Sequence, residues 1–212
     1  MAFAKKTDEI AVIKPANIVR ANITIRGTAP LVINAFPKKS QDQMMLAMST
    51  PKNQKKAKSE RPARNFDEDF KGAKHVAIEG WDGISALAFK NAMISACRTA
   101  GMVMVTTKQT LSVIAEGYDY GGYPLVKIIS KTPPERLISH VRNDNGGTDI
   151  RIRPMWREWS AVVTVQFDAD MITAESVVNL LDRAGRQVGI CEGRPGSKDS
   201  CGMGWGTFEV VS

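Results

Sequence analysis

The stretch GRPGSKDSCGMGWGTFEV, residues 193–210, sets Gly193, Gly196, Gly202, Gly204 and Gly206 among Arg194, Lys198 and Trp205. Glycines let a chain turn tightly, and they also let backbone amides come within reach of phosphate oxygens. With cations and a ring able to stack on a base beside them, the second use suits a sugar-phosphate chain. The stretch follows a helical pattern and runs into a strand. It is therefore no dinucleotide fingerprint, which follows a strand and opens a helix, and it lacks the GK[ST] of a P-loop. Arg194, Lys198, Gly202, Gly204, Trp205 and Gly206 form a first group of candidate nucleic-acid-binding residues.

The rest of the positive charge is distributed in a way that extends this group. Twenty-nine Lys and Arg against 22 Asp and Glu leave a net charge of +7, the footprint of a protein that meets a polyanion. From Phe36 to Lys74 the chain is rich in Lys, Pro, Ser, Asn and Gln and too polar to build a core. It reads as a flexible basic insertion, extending over 36–80, with one short helix around Gln41 to Met48. Its Lys52, Lys55, Lys56, Arg61 and Arg64 are spaced closely enough to displace counterions from a phosphate chain. Further on, RLISHVRNDNGGTDIRIRP predicts a hairpin within 135–158, because Asn and Gly at its tip accept positive φ. The period of two in DIRIR puts Arg151 and Arg153 on one side, and His140 and Arg142 lie beside them if LISHVR pairs opposite. Asp144, Asp149 and Glu158 are the carboxylates that could neutralise these arginines internally. Lys90 and Arg98 fall on a face next to the apolar stripe of the helix predicted for ISALAFKNAMISACRTAG.

Catalytic chemistry finds less support. His75 and His140 are the only histidines, and neither has an obvious partner in the sequence. Asp67, Glu68 and Asp69 of NFDEDF could hold a divalent cation, but three acids in a row are usually a solvated turn. Cys97, Cys191 and Cys201 include no CxxC pair and read as buried thiols. No catalytic residue, metal site or cofactor is expected.

These residues need elements to position them. VRANITIR alternates as one strand, and EWSAVVTVQFDADM as another. TLSVIAEG and YPLVKIIS are short strands around the turn GYDYGGY. TAESVVNLLDRAGRQVG is an amphipathic helix capped by Thr173, with Glu175 at its positive end, and GTFEVV is a final strand. The order is a β-α-β-β-α-β plan, ferredoxin-like or RRM-like, within an α+β class and one domain over 1–212. No run approaches the roughly 18 apolar residues of a membrane span. The start MAFAKKTDEIAVIKP lacks the apolar run of a signal peptide, so a cytoplasmic protein is expected.

The helix, glycine-rich loop and closing strand in LLDRAGRQVGICEGRPGSKDSCGMGWGTFEV resemble the RAMP superfamily, the fold of the crRNA-binding backbone and processing subunits of CRISPR complexes. TIRGTAPLVI is similar to that family's first strand with its proline-containing end. GISALAFKNAMISACRTAG resembles its first helix, with Lys90 in the lysine place. The resemblance implies single-stranded RNA or DNA gripped along its backbone by a sheet face, the glycine loop and a thumb-like hairpin, by copies stacked into a homo-oligomeric filament. Its small size suits a stand-alone or mobile-element member, such as a phage-borne single-strand binder. Two alternatives stand beside this reading: a virion or scaffold protein that uses the fold only to assemble, and a metal-independent endoribonuclease.

Overall fold

The alternation in VRANITIR shapes the first strand. β1, Ile18–Gly27, buries Ile23 and Ile25 and leaves Arg20, Asn22, Thr24 and Arg26 exposed. In the computed structural model, which describes residues 14–49, 64–142, 146–197 and 202–211, β1 leads to β2 (Leu31–Val32), α1 (Lys38–Ser49), α2 (Phe66–Gly72), β3 (His75–Val76) and β4 (Asp82–Ser85). Next come α3 (Ala86–Cys97), α4 (Met104–Thr110), β5 (Leu111–Ile114), β6 (Gly117–Tyr118) and β7 (Pro124–Lys127). The remaining elements are β8 (Glu135–Arg142), β9 (Thr148–Trp156), β10 (Ser160–Asp168), α5 (Ala174–Arg183), a π turn at Ala184–Val188, and β11 (Phe208–Val210). Helices and antiparallel sheets are thus mixed, and the protein is of the α+β class.

The main sheet has the order β11-β1-β10-β5, every pair antiparallel. Its register sets Ala21 against Val165, Ile23 against Val163 and Ile25 against Ala161. One face is therefore apolar, and it shares a single core with Phe89, Met93 and Ala96 of α3 and Val177, Leu180 and Leu181 of α5. Phe208 of β11 sits at the centre of this core, edge-on to Phe89 at 5.9 Å and to Trp159 at 6.2 Å between ring centroids. Burying one such ring contributes on the order of 2–3 kcal/mol. Trp159 keeps its indole N–H satisfied by donating to the Ala29 carbonyl at 2.9 Å. The other face of the sheet is polar: Arg20 donates to Gln166, and Thr164 donates to Asn22.

Two smaller sheets flank this one. β2, β9 and β8 form the first, in which the expected hairpin is the β8–β9 pair, and β3, β4, β7 and β6 form the second. Thr173 caps α5 as expected, its side chain accepting from the Ser176 amide at 3.2 Å. Among the described residues no helix is long and apolar enough to cross a membrane.

Several elements differ from the sequence expectation. The short helix expected at Gln41 to Met48 is α1, slightly longer at Lys38–Ser49. NFDEDF is no solvated turn but opens a second helix inside the insertion. Asn65 caps α2 by accepting from the Asp67 and Glu68 amides, and all three acids lie in the first turn, where the helix dipole favours them. The helix expected to run to Gly101 stops at Cys97. The chain then forms α4 from MVTTKQT, whose β-branched residues disfavour helix. Thr107 and Thr110 compensate by donating back to the Val103 and Thr106 carbonyls.

Candidate nucleic-acid interface

The core takes one side of α3 and leaves a stripe outside it. Leu87, Asn91 and Ser95 recur every fourth residue and face the loop over 188–196. Helix and loop enclose a groove of about 310 Å³, lined also by Ser85, Cys191 and Arg194. Arg194 is anchored by one guanidinium N–H, which donates to the Cys191 carbonyl at 2.9 Å. The rest of its planar fork of donors is suited to a phosphate. Burial pushes the Cys191 thiol up to about 12, away from the thiolate that is the reactive form.

The loop is held by backbone hydrogen bonds, some within it and some to β2 and the π turn. The Gly189, Ile190, Glu192 and Gly196 amides donate to carbonyls of Ala184, Gly206, Val32 and Val188. A Cβ on Gly206 would lie 2.0 Å from the Ile190 carbonyl oxygen, and one on Gly193 would lie 2.5 Å from the Trp205 ring. Two expectations are corrected by this. Trp205 is half-buried against Gly193 rather than standing out as an open stacking ring, and Gly206 is buried with its amide donating to Pro30 at 2.8 Å. Both shape the loop. Gly204, with a positive φ and open space where a Cβ would be, belongs to its outer part, whereas Gly202, also at positive φ, lies against the backbone of Arg194 and Pro195, 3.1 and 3.0 Å from an added Cβ. Among the other aromatic side chains, Trp156 is buried and Tyr120 is exposed.

The hairpin meets this loop through Arg153, whose Nε donates to Glu192 at 3.0 Å with only 11% of the side chain exposed. Arg151 lies two residues along on the same side and is 3.9 Å from Asp149. The register overturns the expected four-residue cluster. Arg151 pairs with Ser139 and Arg153 with Leu137, whereas His140 pairs with Ile150 and Arg142 with Thr148. Paired residues share a face, so His140 and Arg142 belong to the side opposite Arg151 and Arg153. On α3, Arg98 continues the Leu87–Asn91–Ser95 stripe, and Lys90, three residues after Leu87, lies beside the stripe, roughly 60° from Leu87 at about 100° per residue.

Arg64 is tied down, bridging Asp69 at 2.5 Å and Asp149 at 2.8 Å. Asp67 pairs with Arg136 at 2.5 Å and Glu68 with Lys39 at 3.3 Å, so the three acids of α2 are joined to arginines and a lysine. The Arg64–Asp149 and Asp67–Arg136 ties run from the insertion to the hairpin, and the other two lie within the insertion. Lys52, Lys55, Lys56, Arg61 and Lys198 lie outside the described residues, as do Asn143 to Asn145 at the hairpin tip and the side chain of Arg142.

α3 and the loop thus form the groove, and the hairpin joins the loop through Arg153. No family model matches the chain, and a search of curated proteins finds no match. The groove has to be interpreted from its own residues. Asn91 and Ser95 are the members that the sequence reading did not single out; their signal was two uncharged polar residues four apart on a mainly apolar helix.

His75 does have a partner after all. Asp119, whose Oδ1 accepts from the Gly121 and Tyr123 amides, sets its other oxygen 3.8 Å from His75 Nδ1. Burial nevertheless outweighs this carboxylate and pushes the imidazole below its usual value. The unfolded chain then binds a proton more readily than the folded one, so this contribution is full above about pH 6.5 and is lost as the pH falls below it. Melting temperatures should drop between about pH 7.5 and pH 5, and His75→Gln should flatten part of that drop. An equally steep drop in the variant would contradict the assignment.

Proposed function

We propose that the chain is a ferredoxin-like, RRM-like member of the RAMP superfamily that binds single-stranded RNA or DNA along its backbone without catalysis and assembles as a homo-oligomer on the strand. The sequence of β1, α3, β5, β10, α5 and β11 follows the β-α-β-β-α-β plan, and the sheet order β11-β1-β10-β5 is the fourth-first-third-second order of that fold. The insertion falls between β1 and α3, and the β8–β9 hairpin, in the place of a thumb, between β5 and β10. The observation that carries the function is the groove between α3 and the glycine loop, with the Arg194 fork at its wall, Arg98 beyond one end of the stripe, and Arg151 reached through the Arg153–Glu192 bridge. Guanidinium groups beside the Asn91 amide and the Ser95 hydroxyl are donors for phosphate and sugar oxygens, which carry no base code.

The test is equilibrium binding of labelled single-stranded RNA and DNA oligonucleotides of unrelated sequence, titrated across salt concentrations. The expected result is similar affinity for every sequence, with log affinity falling against log salt by roughly 0.7 for each phosphate neutralised, hence about 2 for three contacts. Undetectable binding, a flat salt response or affinity for one sequence alone rejects the proposal. Cleavage products that vanish in His75→Ala would favour the endoribonuclease alternative.

A further inference from the structure

α1 buries none of its residues in the described chain, although Met44, Met45 and Met48 are large apolar side chains exposed by 51%, 69% and 79%. With Gln41 they occupy positions i, i+3, i+4 and i+7, one face of the helix. A 12-residue helix is marginal in water without packing on such a face. Its charges are also placed against the helix dipole. Lys38 and Lys39 stand in the first turn with no acid there, where a carboxylate is favoured and a cation is not.

A second region has the complementary character. Met102, Val103, Thr106, Thr107, Thr110, Leu111, Met171 and Ile172 line a mostly apolar groove of about 200 Å³ between α4 and the turn that precedes α5. Its surroundings are exposed at Val103, Met104, Val105 and Met171. Asp168, Asp170 and Glu175 flank Met171 and Ile172 in the chain, and among the described residues none of the three has an ion-pair partner within 4.0 Å.

We infer that α1 of one copy docks in the α4 groove of a second copy, its methionines filling the groove and its Lys38 end facing the Asp168, Asp170 and Glu175 carboxylates. Helix-in-groove recognition uses this spacing of apolar anchors, and methionine adapts readily to irregular apolar surfaces. The contact is heterologous: each copy presents a helix at one place and a groove at another, so association propagates from copy to copy instead of closing as a two-fold dimer. The inference deepens the homo-oligomer part of the reading above by naming the contact, and it needs no nucleic acid.

The test is sedimentation velocity of the full chain without nucleic acid over a hundredfold concentration range. The wild type is expected to form a concentration-dependent series of oligomers. Met45→Glu with Met48→Glu destroys the helix face, and Val103→Glu with Met171→Glu destroys the groove, which both residues line; all four positions are exposed, and thermal melts check that both variants fold. Each variant should associate at least tenfold more weakly than wild type. An equimolar mixture of the two should give dimers and nothing larger, because one variant keeps its helix and the other its groove. A monomeric wild type, a folded variant that associates normally, or a mixture that remains monomeric overturns the inference. Oligonucleotide binding by the two variants, measured separately, keeps this result distinct from the nucleic-acid reading: association without binding removes that reading alone, and binding without association removes this inference alone.

Discussion

Gly206→Ala is expected to destabilise the fold by at least about 3 kcal/mol, and so to lower the melting temperature by roughly 6–12 °C for a chain of this size. Gly206 has φ +66, and a Cβ there would stand 2.0 Å from the Ile190 carbonyl oxygen and 3.0 Å from its carbon. Backbone atoms cannot rotate away as a side chain does. Its amide also donates to Pro30 while its carbonyl accepts from Ile190, so moving residue 206 aside breaks contacts on both sides of the crossing. Gly204→Ala separates the two effects. Gly204 has φ +75 with nothing within 4 Å of the added Cβ, so that substitution bears only the left-handed strain, about 1–2 kcal/mol. Thermal melts of the two variants measure the difference. Equal losses would mean that the close approach to Ile190 contributes nothing.

The framework of the main sheet was legible because it rests on local pattern. VRANITIR and SAVVTVQF alternate in and out, and the Val177, Leu181, Ala184 repeat marks α5, so β1, β10 and α5 follow from period alone. Two helices were missed for opposite reasons. α2 carries a clear start signal, Asn65 followed by three acids, but a polar, lysine-rich neighbourhood made the segment read as a solvated turn. α4 has almost no signal, since MVTTKQT favours strand by composition and becomes helical with the help of the Thr107 and Thr110 back-bonds.

Registers and distant partners are where sequence reading failed at the candidate site. A period of two puts Arg151 with Arg153, but it cannot say which half of the opposing strand joins them. The observed register sets Ser139 opposite Arg151; a shift of one residue would set His140 there and exchange the faces. Glu192 lies 39 residues from its partner Arg153, and Asp149 lies 85 from Arg64. Neither carboxylate could be assigned to its arginine from spacing. Arginines that the sequence offered as free phosphate ligands are therefore partly neutralised within the protein, and the positive field is concentrated on fewer of them. The glycine-rich loop was flagged correctly as unusual, yet Gly193 and Gly206 are explained by the close approach of Trp205 and Ile190.

The arginines left in position to act suggest the second large effect. Combining Arg98→Ala, Arg151→Ala and Arg194→Ala is expected to weaken single-stranded oligonucleotide binding by about 10²–10³-fold, since a charge-assisted hydrogen bond contributes roughly tenfold or more in affinity. The slope of log affinity against log salt should become shallower by about 2, near 0.7 for each lost phosphate contact. The three differ in their present ties: Arg194 gives one N–H to Cys191, Arg151 has only a long approach to Asp149, and Arg98 is exposed at the end of α3. Arg153→Ala makes the contrast, because Arg153 is mostly buried against Glu192 and its removal strands that carboxylate. It should lower the melting temperature more than any of the other three while changing the salt slope least. A triple variant that binds as tightly and as salt-sensitively as wild type would remove the groove from the binding surface, whereas a loss confined to one oligonucleotide sequence would replace backbone contact with base recognition.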